Sequence, residues 1–331
     1  MPLAFQWPYR EARDGIWGTQ TATLDWCEQN YDITPYIAEF FNTTTNLIFM
    51  YLGVLGIRDC LRYEAGKVYL VAFGGYIIVG LGSMAFHASL KYSMQLADEL
   101  PMIYTTCVMA YATFAYRGST STRILVGLGL VALATWITAY YLTSMDPVFH
   151  QVAYGALTCA LVFRNMYVME AHLRPALERR TGSKAHSDQI MKQMWHFSLT
   201  GIALFLVGFL IWVFDNTFCD FLRAARDSIL LPWAALLEAH GWWHVFTGLG
   251  AYYWVIWRMW LERCLDGEEV DFMLNWPSMI TSVPRILPRS RQGVKANGKT
   301  NGNGKANGNG NGNGYTNSFG NGLNGSSKKS L

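Results

Sequence analysis

Long apolar stretches recur from residue 37 to residue 261 and are separated by short polar or basic loops. A helix needs about 20 mainly apolar residues to cross the hydrocarbon layer of a bilayer. By that measure the sequence predicts seven membrane-spanning helices, at Ile37–Ile57, Val68–Leu90, Asp98–Tyr116, Ile124–Leu142, Val148–Met169, Trp195–Phe214 and Gly241–Leu261. We therefore predict an all-α, polytopic membrane protein built as a seven-helix bundle.

Basic residues fall mainly in alternate loops. The loops after the first, third and fifth predicted spans hold ten Lys or Arg residues, whereas the loops on the opposite side hold three. Cytoplasmic loops of membrane proteins are enriched in Lys and Arg. The distribution therefore predicts a lumenal N-terminus and a cytosolic C-terminus.

Composition agrees with a membrane-embedded body and a polar tail. Hydrophobic residues make up 51% of the 331 residues and charged residues only 15%, against about 25% charged in a typical soluble domain. These proportions exclude a soluble globule or a disordered body. We predict a lumenal segment over 1–36, a transmembrane domain over 37–262 and a cytosolic tail over 263–331, disordered in its Asn/Gly-rich part from about 297.

Two lysines, Lys328 and Lys329, are the fourth and third residues from the C-terminal end. This arrangement is similar to the dilysine signal that retrieval machinery reads on the cytosolic tails of endoplasmic reticulum proteins. The predicted topology supplies such a tail. We therefore expect an endoplasmic reticulum membrane protein, with the Golgi as a second location; a chance lysine pair is the alternative.

Several ionisable side chains share one depth in the predicted membrane. His87 is near the end of the second span, Asp98 opens the third, and His240 and His244 stand at the entrance of the seventh, all toward the lumen. Ser83 lies one helical turn before His87 and therefore on the same helix face. Ionisable residues within spans are costly and are functional candidates by default.

Three histidines at that depth match the ligand set of a catalytic zinc ion. Two imidazoles one helical turn apart grip one ion, and a third from another helix leaves one tetrahedral position open, as in catalytic zinc sites. We therefore predict that Zn²⁺ binds His87, His240 and His244. The alternative is that each histidine separately caps a helix or hydrogen-bonds a carbonyl group.

A second polar cluster lies before and at the start of the first span and consists of Asp25, Trp26, Glu28, Asn30, Asp32 and Glu39. Carboxylate and amide oxygens at this density suit a hard cation such as Ca²⁺. The spacing is not that of an EF-hand loop, and a solvated acidic turn explains the residues equally well on chemistry alone.

Five motifs, in order along the chain, resemble those of the alkaline ceramidases, which are seven-helix intramembrane zinc amidases. They are DWCEQN from Asp25, EFFNT from Glu39, GSMAFHA from Gly82, DELPM from Asp98 and HGWWHVFTG from His240. The likeness runs from about residue 20 to residue 262. It implies an N-acylsphingosine amidohydrolase whose domain over 37–262 hydrolyses the amide bond of ceramide within the membrane, with modulation by calcium.

The resemblance also assigns roles to individual residues. The zinc ligands would be His87, His240 and His244, with Ser83 stabilising the oxyanion and Asp98 acting as acid and base. The calcium ligands would be Asp25, Trp26 through its backbone carbonyl, Glu28, Asn30 and Glu39. The residues that line the substrate pocket would include Tyr154 and Trp243.

Two other functions remain open at this stage. A seven-helix zinc-binding receptor of the same superfamily would share the histidines but have signalling as its output; the calcium cluster and the 241–248 motif favour the ceramidase. A b-type cytochrome would use the histidines as haem ligands. Histidines at a single depth, beside a serine and an aspartate, argue against it.

The six cysteines are sorted by the predicted topology. Two face the cytosol and two lie inside spans, which leaves Cys27 and Cys219 in the lumen. Disulfides form and persist in that compartment. We predict a bond between Cys27 and Cys219, and two free lumenal thiols are the alternative.

Overall fold

The structure, a computed structural model, describes residues 6, 8, 9, 14–278 and 281–289. Its helices are α1 (Phe40–Thr45), α2 (Leu47–Arg62), α3 (Lys67–Ser89), α4 (Tyr92–Phe114), α5 (Thr120–Ser144), α6 (Pro147–Val168), α7 (Arg174–Thr181), α8 (Lys184–Thr217), α9 (Cys219–Ile229) and α10 (Ala239–Asp266). A π-helical turn, Met169–Leu173, joins α6 to α7, and 3₁₀ turns at Trp233–Leu237 and Glu268–Val270 flank α10. Two short strands, β1 (Phe272–Asn275) and β2 (Arg285–Pro288), pair antiparallel.

Short polar residues and glycine fix the breaks between helices. The Ser119 side chain accepts the backbone N–H of Thr122 at the start of α5. Asp146 caps α6 in the same way, and Pro147 occupies the first helical position, where its missing N–H costs nothing. α7 ends at Gly182, which adopts a left-handed φ of 59° that glycine tolerates. Local sequence therefore sets where one helix stops and the next begins.

Five helical segments in the described residues are long and apolar enough to cross a membrane: Phe40–Arg62, Lys67–Ser89, Thr120–Ser144, Pro147–Thr181 and Lys184–Thr217. The other two predicted spans correspond in position to α4 and α10, of 23 and 28 residues. Neither of those two helices contains an 18-residue stretch as apolar as those of the five segments. The prediction of a mainly helical protein with several helices able to cross a membrane is therefore confirmed.

The protein core lies around α10, which packs along α8, while α3 packs along α4. Tyr252, Trp257 and Trp260 of α10 are wholly enclosed. Large apolar side chains on the outer helices, such as Leu125 on α5 and Phe163 on α6, are exposed instead. An apolar exterior of this extent suits contact with lipid chains rather than with water.

The β1–β2 hairpin is an addition to the predicted all-α fold. Arg285 Nε and Nη2 lie 2.6 and 2.7 Å from the two carboxylate oxygens of Asp59, near the end of α2. The Tyr252 hydroxyl of α10 donates to the Pro284 carbonyl at 3.1 Å. The hairpin is therefore held against α2 and α10. The predicted Asn/Gly tail with Lys328 and Lys329 lies outside the described residues.

Candidate active site

Three buried histidines come together where α3 ends and α10 begins. His87 lies in the last turn of α3, and His240 and His244 lie one turn apart at the start of α10. Candidate ligand atoms of the three rings all lie within 4.8 Å of one another. Among the residues that the structure describes, this trio is the one group of at least three His, Cys, Asp or Glu side chains placed closely enough to hold a metal ion.

Two of the three rings are oriented through Nδ1. His87 Nδ1 is hydrogen-bonded to Glu39 Oε2. His244 Nδ1 lies 3.1 Å from Thr45 Oγ1 and 3.3 Å from Asn46 Nδ2. A partner on one ring nitrogen fixes the ring and leaves the other nitrogen, here Nε2, for a metal.

His240 is held by its ring face and its backbone. Its ring stacks on Trp26 at 4.1 Å between centroids. Its backbone N–H donates to Asp215 Oδ1 at 3.2 Å. Its Nδ1 is buried without a hydrogen-bond partner. An unpaired buried polar atom is costly, and a metal ion would remove that cost. The residues present therefore fit a metal ion.

Ser83 and Asp98 meet where α3 and α4 approach most closely. The Ser83 side chain lies beside the Asp98 carboxyl group and interacts with it. A Cβ atom added at Gly82 would lie 1.9 Å from the Ala97 carbonyl oxygen, so only glycine permits this approach. Pro101, inside α4, has no N–H to donate to the Ala97 carbonyl. Because Ser83 is four residues before His87 on α3, the Ser83–Asp98 pair lies one helical turn from that histidine.

Comparison with known proteins connects this arrangement to a family. The model of the ceramidase family matches residues 18–287. The chain belongs to the ceramidase family. It is similar to alkaline ceramidase 3 of Mus musculus, with 37% identity over 81% of this chain and 95% of that protein. It is also similar to alkaline ceramidase YPC1 of Saccharomyces cerevisiae, with 33% identity over 76% of this chain and 80% of that protein.

Four of the predicted calcium ligands of this ceramidase are in contact as two pairs. Asn30 Nδ2 donates to Asp25 Oδ1 at 3.4 Å, and the backbone N–H of Trp26 donates to Glu39 Oε1 at 3.3 Å. Oδ1 of Asn30 and Oδ1 of Asp32 are buried without a hydrogen-bond partner. Burial also raises the pKa of Asp32 to about 6. This segment is therefore rich in oxygen atoms that a cation would stabilise.

Glu28 has a contact that the sequence did not reveal. Its two carboxylate oxygens accept the backbone N–H groups of Phe41 and Asn42, at 2.7 and 2.8 Å. These amides belong to the first turn of α1, where backbone donors lack helical partners. Burial raises the pKa of Glu28 well above its ordinary value, and the nearby Glu238 and Glu39 carboxylates raise it further. Glu28 thus ties the N-terminal segment to α1.

The two predicted pocket residues lie in different clusters. Trp243 contacts Trp212 at 6.2 Å between ring centroids, and Trp212 contacts Trp26 at 6.0 Å. Because Trp26 stacks on His240, Trp243 is linked to the histidines through aromatic rings. Tyr154 instead packs against the apolar cluster that contains Ile137.

The predicted disulfide between Cys27 and Cys219 is present. It joins the segment before α1 to the first residue of α9, across 192 positions of sequence. Arg226 of α9 adds a second link, since its Nη2 donates to the Cys27 carbonyl at 2.7 Å. The N-terminal segment is therefore attached to α9 by both a covalent bond and a hydrogen bond.

Asp215 is the main site neighbour that sequence reasoning missed. It lies in α8, is buried, and accepts the backbone N–H groups of Cys27 at 3.4 Å and His240 at 3.2 Å. A carboxylate near the end of an otherwise apolar span was a visible signal. It received no role because a sequence does not show which backbone amides a carboxylate will meet.

Proposed function

We propose that this ceramidase hydrolyses the amide bond of ceramide and releases a free sphingoid base and a fatty acid. The observation that carries the proposal is the three-histidine cluster beside the Ser83–Asp98 pair, in a chain similar to proteins named alkaline ceramidases. Amide hydrolysis needs an electrophilic centre, a proton-transfer group and an oxyanion donor. The three histidines supply the ligands of a metal ion as the electrophilic centre, Asp98 is the proton-transfer group, and Ser83 is the oxyanion donor.

We assign Zn²⁺ to His87, His240 and His244 because three imidazoles are a common ligand set for catalytic zinc. A zinc ion supplies a Lewis acid that activates water and polarises a carbonyl group. The protein's own contribution is orientation. Glu39 fixes the His87 ring, and the Thr45 hydroxyl fixes the His244 ring by accepting a hydrogen bond from its Nδ1.

Asp98 acts as the general base and acid in this proposal. Its carboxylate takes a proton from the attacking water and returns it to the nitrogen of the sphingoid base as the C–N bond breaks. The Ser83 hydroxyl lies beside Asp98 and, in this proposal, donates a hydrogen bond to the substrate carbonyl oxygen as negative charge develops there.

Calcium has a structural and regulatory role in the proposal. We assign Ca²⁺ to the oxygen atoms of Asp25, Trp26 (backbone carbonyl), Glu28, Asn30 and Glu39. The pairing of Asp25 with Asn30 and of Trp26 with Glu39, together with the unpartnered Asn30 Oδ1, supports this assignment. Because Glu39 also contacts His87, a cation here would help to hold His87 in place at the proposed zinc site.

We propose that all seven predicted spans cross the membrane, including the more polar α4 and α10. The N-terminal segment over 1–36 and the histidines are placed at the lumenal side, and the tail over 263–331 in the cytosol. Ceramide would then enter the site of domain 37–262 laterally from the lipid, with Tyr154 and Trp243 along its chains. The five apolar helical segments support a membrane location.

We further propose retention in the endoplasmic reticulum through Lys328 and Lys329. Imaging of a Lys328→Ser/Lys329→Ser protein tests this assignment, because a retrieval signal would be lost while turnover of the purified protein would not change. Reticular localisation that persists in this variant would place retention elsewhere.

The proposed activity is tested with purified protein and a panel of ceramides, with and without a zinc chelator, by quantifying the free sphingoid base. We expect release that the chelator abolishes. Asp98→Asn should lower turnover by about 10²–10⁴-fold, whereas Asp188→Asn, at an exposed position of α8, should not. A zinc-loaded wild type that releases no sphingoid base would favour the receptor function instead.

A further inference from the structure

A second buried carboxylate lies directly beside Asp98 on α4 and belongs to a polar network of its own. Glu99 Oε2 accepts the hydroxyl of Tyr141 on α5 and Nε2 of Gln95 at 3.1 Å. His150 on α6 approaches the same residue twice, with Nε2 2.8 Å from the Glu99 carbonyl oxygen and Nδ1 3.6 Å from Glu99 Oε1. One residue of α4 is thus bonded to both α5 and α6.

The network continues to the segment before α1. Gln95 Oε1 accepts the backbone N–H of Thr23 at 2.8 Å, and Gln95 Nε2 donates to Thr23 Oγ1 at 2.8 Å. Gln95, Glu99 and Tyr141 are all buried, so these bonds are shielded from water and are strong in their surroundings. Polar contacts therefore hold this turn of α4 from three separate parts of the chain.

Neighbouring residues on a helix point about 100° apart, so Asp98 and Glu99 face different partners. Asp98 faces Ser83 on α3, whereas Glu99 faces α5 and α6. A rotation of α4 about its axis would move both carboxylates at once. The bonds of Glu99 therefore resist any rotation that would take Asp98 away from Ser83.

This turn of α4 needs external support because its own hydrogen bonding is incomplete. Pro101 has no N–H to donate to the Ala97 carbonyl, and helices bend most readily at such positions. The missing bond lies across the turn that contains Asp98 and Glu99. Bonds from neighbouring helices replace part of the lost rigidity.

We propose that Glu99, fixed by Tyr141 and His150, is a positioning residue that sets the direction of Asp98 toward Ser83 during amide hydrolysis. The inference rests on the proposed function for the role of Asp98. Glu99 itself touches neither the histidine cluster nor Ser83 in any described contact. It acts through the orientation of α4.

Steady-state kinetics of Tyr141→Phe and Glu99→Gln test the proposal. Tyr141→Phe removes one hydroxyl and retains the ring, so the bundle should fold. We expect kcat to fall roughly 10- to 100-fold, as misplacement of a reacting group by about 1 Å does, with KM and zinc content unchanged. The matched control is Tyr104→Phe, which removes a hydroxyl bonded to Thr138 at 2.9 Å between the same two helices, at an exposed position.

A double-mutant cycle distinguishes positioning from a general loss of stability. In the Asp98→Asn background Tyr141→Phe should cause no further loss of residual turnover, because its effect passes through Asp98. Wild-type kcat in Tyr141→Phe, an equal loss in Tyr104→Phe, or a full additional loss in the Asp98→Asn background would each overturn the proposal.

A measurement without substrate separates this proposal from the proposed function. Cysteines introduced as Ser83→Cys and Asp98→Cys should cross-link on mild oxidation, since α3 and α4 approach closely at Gly82 and the two side chains lie side by side. Adding Tyr141→Phe should lower the cross-linking yield, and adding Tyr104→Phe should not. An unchanged yield with Tyr141→Phe would contradict the positioning role even if ceramide proves not to be the substrate.

Discussion

Glu39 touches both proposed metal sites through its two carboxylate oxygens. Oε2 is hydrogen-bonded to His87 Nδ1, and Oε1 accepts the backbone N–H of Trp26 at 3.3 Å. Glu39 and His87 are 0% and 1% exposed, so water does not compete for the bond between them. A carboxylate on Nδ1 of a metal-binding histidine fixes the tautomer and makes the other ring nitrogen a better ligand. Glu39 would therefore affect zinc binding without touching the ion.

Replacing Glu39 with Gln should weaken zinc binding by about 10- to 100-fold, because the amide holds the His87 ring less firmly than the carboxylate does. Zinc content after dialysis against a series of metal buffers measures the change. Glu178→Gln, at an exposed position on α7, is the control and should bind zinc as wild type does. Equal zinc affinity of Glu39→Gln and wild type would remove Glu39 from this role.

Replacing His244 with Ala should abolish zinc binding and ceramide hydrolysis while leaving the helices in place, and His87→Ala and His240→Ala should do the same. Metal analysis and circular dichroism of the purified proteins report the two properties separately. His172→Ala, at an exposed position in the π-helical turn, serves as the matched control. Full zinc occupancy in His244→Ala would show that this histidine is not a ligand.

Replacing Gly82 with Ala should separate α3 from α4 and lower turnover, because the new Cβ would lie 1.9 Å from the Ala97 carbonyl oxygen. We expect a loss of about 1–3 kcal/mol in the free energy of unfolding. At Gly74, on the same helix, an added Cβ meets no atom within 4 Å. Gly74→Ala should be neutral or stabilising by up to about 1 kcal/mol. Similar thermal unfolding of the two variants would refute the close approach at Gly82.

Calcium should raise the unfolding temperature of wild type more than that of Asp25→Ala. Asp25 is exposed and its described side-chain bond is to Asn30, so its loss should remove a cation ligand with little other damage. Asp220→Ala, at an exposed position of α9, should keep the full calcium response. A calcium-dependent shift of equal size in Asp25→Ala and wild type would argue against this cation site.

Loss of the disulfide should destabilise the protein. The bond closes a loop of 192 positions, and chain-entropy estimates give roughly 5 kcal/mol as an upper limit for such a loop. Cys27→Ser/Cys219→Ser should therefore unfold at a lower temperature than Cys159→Ser, which changes an exposed free cysteine. Alkylation of Cys27 in unreduced wild type would contradict the bond.

The histidines were predictable because ionisable side chains are rare within apolar membrane spans. A carboxylate or imidazole in an apolar span is costly, so Asp98, His87 and His244 stand out in the sequence at one depth. Most helix boundaries were close for the same reason, since lipid-facing residues must be apolar over a known length. The start of α8 was not, because its first residues, from Lys184, are polar and precede the predicted span at Trp195. The cysteine pairing followed from the predicted topology.

The partners of polar residues near the ends of helices were not predictable in this way. Glu28 and Glu39 both precede α1 in an acid-rich segment, yet one accepts the amides of α1 and the other meets His87. Nothing in the local sequence distinguishes those partners. The bond between Asp59 and Arg285 joins residues 226 positions apart, and only the folded chain brings them together.

The hairpin also determines where a label can be attached to this protein. Asn46, beside His244, caps the start of α2, and Asp59, beside Arg285, lies near the end of that helix. At 1.5 Å per residue they are about 20 Å apart along its axis. A fluorescent protein or affinity tag joined directly after Arg289 would begin next to β2, at the opposite end of α2 from the histidines. Such a fusion offers a way to immobilise or image the enzyme while the site remains accessible to lipid.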